Sequence, residues 1–159
     1  MSTTDIVIRL LAAVFAGGAL GLNRDLHKKA AGVRTIGVAS LGSALVVLAA
    51  GGMSPNQPGF DSLSHVIQGV MTGVGFIGAG VIVRGNTEGE VHGLTTAAVI
   101  WLAAGFGVLC ALGAWTEVAA GLALAFLLLM VGGRVEKWVE RTYGYKGSGK
   151  PGDDGKNEA

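Results

Sequence analysis

The 159-residue chain has one cysteine, three prolines and 6% aromatic residues. The lone Cys110 excludes an intrachain disulfide and a cysteine metal cluster. Three prolines beside 28 glycines, with no G-x-y period, exclude a collagen-like chain. Charge is scarce as well. Asp, Glu, Lys and Arg make up 14% of residues, against about 25% in a soluble domain. A formal net charge of +1 predicts no nucleic-acid partner. The first apolar run follows an acidic residue, Asp5, and no A-x-A site appears, so a cleavable signal peptide is not expected. No Ser/His/Asp or Cys/His arrangement stands out, which predicts no catalytic residues and no enzyme.

Apolar sequence dominates what remains. Half the residues are hydrophobic, and the mean hydropathy is +0.54. Five apolar segments can be drawn, at residues 6–22, 33–52, 66–83, 94–112 and 115–133. Each is near the roughly 17–25 residues that cross a bilayer as a helix. The first and third are near the lower limit, which leaves room for a tilted or broken helix. The predicted fold is an all-α integral membrane protein with about five transmembrane helices, packed through Gly/Ala-rich faces. Residues 1–133 form the transmembrane domain. Residues 134–143 read as a short basic interfacial segment, and 144–159 as a disordered tail without apolar residues after Tyr145.

The loops orient the spans. Arg24, Lys28, Lys29 and Arg34 surround the first loop, and the loop after the second span has no Lys or Arg. Arg134, Lys137, Arg141, Lys146 and Lys150 follow the fifth span. The positive-inside rule then predicts a cytoplasmic C-terminus and an N-terminus outside. Trp115 and Trp138 fall near the two interfaces, as aromatic belts do.

The 28 glycines are unevenly used. Gly73, Gly75 and Gly78 in "GVGFIGAG" have the G-x-G-x-x-G spacing of a dinucleotide loop. That loop needs a preceding strand and an acidic residue about 20 positions on. Here the motif lies within an apolar span, and position 98 is alanine. Two membrane readings remain open. Small residues at four-residue spacing let helices approach closely: Ala13, Gly17 and Gly21; Gly69 and Gly73; Gly75 and Ala79, with Gly80 beside them; Gly121 and Ala125. Alternatively, the third span is a helix unwound by glycines around an ion or substrate site.

Few polar residues are candidates for function. Arg9 lies within the first span, four residues after Asp5. It either snorkels outward to that partner or serves a function inside the membrane. The stretch from Gly21 to Gly37 is the richest, with Asn23, Arg24, Asp25, Arg34 and Thr35. Arg34 is placed to reach into the bundle toward a carboxylate. Asp61, Gln68 and Arg84 flank or enter the third span, and Thr95 and Thr96 open the fourth. Paired threonines there can bond across helices. Asp25 and Asp61 are weak candidates for Mg²⁺, which takes one or two carboxylates and keeps several waters. No other cofactor is expected.

Taken in order, three blocks resemble the MgtC/SapB family of bacterial inner-membrane proteins. The first is "RLLAAVFAGGALGLNRDLHKKAAGVRTIGVASLGSALVVL" from Arg9. The second is "DSLSHVIQGVMTGVGFIGAGVIVR" from Asp61 to Arg84. The third is "VHGLTTAAVIWLAAGFGVLCALG" from Val91 to Gly113. The family usually reads G-L-E-R-E where this chain has Gly21-Leu22-Asn23-Arg24-Asp25, and has arginine where His65 stands. The chain looks like a membrane-domain member without the family's soluble C-terminal domain. The resemblance implies an inner-membrane protein linked to low-Mg²⁺ growth and to survival inside host cells. Its implied partners are the bilayer, a second copy and another membrane complex, such as a P-type ATPase or the F-type ATP synthase. Two functions follow as expectations: a non-enzymatic regulator acting by helix contacts, or a small transporter or ion-binding protein working as a homo-oligomer.

Overall fold

The computed structural model describes residues 1–27, 29–52, 60–84 and 91–143, with the side chains at 52, 60–62, 83–84, 136–137, 139–141 and 143 left outside the description. The segment expected to be a disordered tail lies outside the described residues. Five helices carry the chain: α1 (Thr3–Leu26), α2 (Val33–Gly52), α3 (Phe60–Val81), α4 (Leu94–Leu112) and α5 (Trp115–Tyr143). A two-residue antiparallel hairpin, β1 (Val83–Arg84) with β2 (Val91–His92), links α3 to α4. All five helices are long and apolar enough to cross a membrane.

Local chemistry sets where the helices begin and end. Ser2 caps α1, its hydroxyl accepting from the Asp5 N–H at 3.2 Å. This starts the helix three residues ahead of the apolar run. Two residues, Gly113 and Ala114, make the α4–α5 turn. Gly113 adopts φ +74, and the N–H groups of Gly113 and Ala114 donate to the carbonyls of Cys110 and Leu109, both at 3.0 Å. That left-handed closure suits glycine and satisfies the last carbonyls of α4. Nothing stops α5 at residue 133. It continues through Gly132 and Gly133 to Tyr143, so the basic stretch 134–143 is helical and continuous with the fifth span.

The core gathers on α4, which packs against each of the other four helices. Its buried residues include Ile100, Ala103, Ala104, Phe106, Gly107, Cys110 and Ala111. Small side chains on α4 let neighbours approach from several sides. A Cβ built at Gly107 would strike the carbonyl oxygen of Ser40 on α2. The α1–α2 pair is equally close. A Cβ at Gly17 would stand 2.6 Å from Ser40 Cβ, and one at Gly21 would stand 2.5 Å from Val33 Cα. Helix α3 is continuous through "GVGFIGAG", so its glycines do not unwind it. Helices α3 and α5 are the least buried of the five.

Candidate functional site

The two ends of α4 each receive an arginine from α1, and the two contacts differ in electrostatic sense. At the C-terminal end, Arg9 Nη1 donates to the Ala111 carbonyl at 2.6 Å, while its Nε donates to Asp5 Oδ1 at 3.2 Å. A cation belongs at a helix C-terminus, where the last carbonyls carry partial negative charge. Gly113 makes the contact possible, since a Cβ there would fall 2.9 Å from Arg9 Nη2. Arg9 therefore fastens the start of α1 to the end of α4, with a carboxylate beside it.

At the N-terminal end, Arg24 is buried, with 5% of its surface exposed. Its Nη2 donates to Thr96 Oγ1 at 2.6 Å. Its Nε is buried and has no hydrogen-bond partner. Among the described residues Arg9 pairs with Asp5, and Arg24 has no ion pair. The neighbouring Asp25 is engaged elsewhere, its Oδ2 accepting from the Val33 N–H at 2.9 Å and so serving the first turn of α2. Gly32 leaves room for that carboxylate, because a Cβ at Gly32 would strike it.

The remaining candidates spread out from this pair. Arg34, Thr35 and Thr95 are exposed, and Arg34 does not enter the bundle. Asn23 is half-buried, and its carbonyl meets His27 Nδ1 at 2.7 Å. Gln68 is exposed, with its Nε2 donating to Ser64 Oγ at 3.3 Å. The side chains of Asp61 and Arg84 lie outside the described residues. Among the described residues, no three His, Cys, Asp or Glu side chains come together as a metal group.

The glycines divide by surroundings. Gly17 and Gly21 face α2, and Gly78 faces Ala97 on α4, with a built Cβ 3.5 Å from the alanine Cβ. Gly69, Gly73, Gly75 and Gly80 meet no atom within 4 Å. Gly69, Gly73 and Gly80 recur with the 84%-exposed Phe76 along one stripe of α3, and among the described residues this face has no neighbour.

Sequence reasoning missed Ser40. Its hydroxyl donates to the Ala13 carbonyl at 2.8 Å and joins α2 to α1. Gly32, Gly107 and Gly113 were also missed. The available signal for Ser40 was a polar residue within an apolar run, which in a membrane must find an acceptor.

An all-helical bundle of five helices, each long and apolar enough to cross a membrane, defines a polytopic membrane protein. The chain belongs to the MgtC family, whose model matches residues 10–138. It is 41% identical over 108 residues to Protein MgtC of Salmonella typhimurium, covering 67% of this chain and 43% of that protein. It is 36% identical over 150 residues to Protein SrpB of Synechococcus elongatus, covering 85% and 80%. To the Putative magnesium transporter YhiD of Escherichia coli it is 38% identical over 134 residues, covering 81% and 61%. The match thus spans less than half of the Salmonella protein. No solved structure matches the chain.

Proposed function

We propose that the chain is a non-enzymatic, multi-pass protein of the bacterial inner membrane that serves magnesium homeostasis through helix contacts, with a second copy of itself as the first partner. The observation that carries this reading is the outward face of α3. Lipid-facing surfaces do not require glycine, and α5 presents Leu124, Leu127, Leu128 and Met130 instead. Helix α3 turns Gly69, Gly73 and Gly80 outward along one stripe, with none of the described residues against them. Glycine costs about 1 kcal/mol against alanine in a water-soluble helix, and in membranes it is favoured where another helix approaches closely. A closed two-fold dimer would bury both copies of this face against each other. The magnesium link rests on family membership and on the name of the Escherichia coli relative. A cytoplasmic C-terminus with the N-terminus outside is supported by exposed Lys29 and Arg34 at the α1–α2 loop and by Arg134 near the end of the fifth apolar span.

The name of that relative favours a second reading, a transporter working as a homo-oligomer. The buried polar side chains weigh against a Mg²⁺ path through the protomer. Among the described residues they are Arg24, Ser40, Ser43 and Thr96, with no carboxylate among them. Mg²⁺ sites use one or two carboxylates, and a buried guanidinium repels the ion. Native mass measurement in mild detergent, low-Mg²⁺ growth and liposome flux test the two readings together. We expect a wild-type dimer, a Gly73→Ile monomer that no longer supports growth, and flat Mg²⁺ flux. A wild-type monomer overturns the helix-contact reading, and Mg²⁺ flux from the wild type favours the transporter.

A further inference from the structure

We propose that Arg24 and the N-terminus of α4 form an anion site that takes a phosphate group. The reasoning starts from charge. Arg9 satisfies the C-terminal end of α4 and has Asp5 beside it. Arg24 does the opposite: it brings a full positive charge to the end of α4 that is already positive. A helix terminus carries roughly half a unit charge, positive at its N-terminus and negative at its C-terminus. Arg24 also lies in the last turn of α1. The α1 carbonyl end and the α4 amide end cancel, and the whole guanidinium charge remains.

Among the described residues, no side chain caps this end of α4 and no carboxylate pairs with Arg24. Gly93 precedes α4 at φ +90 and contributes no side-chain cap. The first backbone bond there runs from Ala97 N–H to the Gly93 carbonyl at 2.8 Å, leaving the amides of Leu94, Thr95 and Thr96 ahead of the ladder. The contrast with α2 is direct, since Asp25 supplies a carboxylate to that helix start. Beside α4 stands a guanidinium that is 5% exposed, with one donor on Thr96 and a buried Nε on nothing. An uncompensated buried charge is strongly unfavourable, so the pair calls for an anion.

The chemistry selects the anion class. A planar guanidinium fork beside free helix amides matches the oxygens of a phosphate group. Exposed Lys29 and Arg34 lie at the same end of the bundle, which as a helix end is the level of lipid headgroups. The phosphate group can therefore be the phosphodiester of an anionic lipid or free inorganic phosphate.

The test uses the full chain purified in phosphate-free buffer. One arm measures retention of phosphatidylglycerol against a phosphate-free glycolipid, diglucosyldiacylglycerol, by native mass spectrometry. The other measures inorganic phosphate binding by calorimetry, with chloride as the control. Wild-type protein is expected to select one of the two phosphate sources, and the arm that responds identifies it. Arg24→Gln is expected to weaken that binding by about tenfold or more, as loss of a charged hydrogen bond does. Arg24→Lys keeps the charge but loses the fork, so it also weakens binding and decides the matter if Arg24→Gln fails to fold. Arg34→Gln is expected to change it by less than about threefold, as a screened surface charge does. The proposal is overturned if the wild type binds neither probe above its control. It is equally overturned if Arg24→Lys binds as the wild type does.

Discussion

Gly17→Ala places a methyl group where α1 and α2 already touch. Its Cβ would stand 2.6 Å from Ser40 Cβ, 2.8 Å from the Ile36 carbonyl oxygen and 3.1 Å from Gly37 Cα. Carbon atoms rest about 3.5–4.0 Å apart, so the helices must separate by about 1 Å. Two of the three neighbours are backbone atoms and cannot rotate away. The Ser40–Ala13 bond, now 2.8 Å, would lengthen to about 3.8 Å, beyond hydrogen-bonding range. Overpacking costs about 1–3 kcal/mol and a lost interhelical bond in a membrane about 0.6 kcal/mol, which together give about 2–4 kcal/mol. Gly73→Ala is the matched control, because nothing lies within 4 Å of a Cβ there. At protein dilutions where only monomer remains, it should shift stability by less than about 0.5 kcal/mol. Unfolding in mixed detergent, followed by tryptophan emission, measures both variants. The reasoning fails if Gly17→Ala unfolds with the wild type, or if Gly73→Ala loses as much as Gly17→Ala.

Other perturbations follow from the same contacts. Gly113→Ala should cost about 1–2 kcal/mol from the left-handed backbone alone, with the Arg9 clash adding to it; the same unfolding assay reads the loss. Asp25→Ala removes the acceptor for the Val33 N–H and should destabilise the chain by about 0.5–2 kcal/mol, with faster amide exchange at the start of α2. The near-isosteric Thr96→Val takes the acceptor from Arg24 and should cost about 1–3 kcal/mol, more than Ser43→Ala, whose hydroxyl bonds within its own helix.

The helices were legible in the sequence because apolar length is a direct signal of a span. Their ends depended on features that hydropathy does not report. The Ser2 cap carries α1 back to Thr3, and α3 begins at Phe60 ahead of the polar residues Asp61, Ser62, Ser64 and His65. The small-residue stripes were visible as spacing, but not their partners. Gly17 and Gly21 face α2, whereas Gly69, Gly73 and Gly80 of the same spacing type face outward. Arg24 and Thr96 were each singled out from the sequence. Their bond was not, because it joins residues 72 positions apart through the packing of α1 on α4. Arg34 attracted the same attention and lies exposed in the first turn of α2.

The association of two chains through α3 is tested most directly by cysteine crosslinking in native membranes. Cys110 is first replaced by alanine, and Thr72→Cys is introduced on the outward side of α3 beside Gly73. The account predicts an oxidised dimer from Thr72→Cys and none from Leu128→Cys, a residue 75% exposed on α5. No dimer at position 72, or equal dimer at both positions, would contradict it.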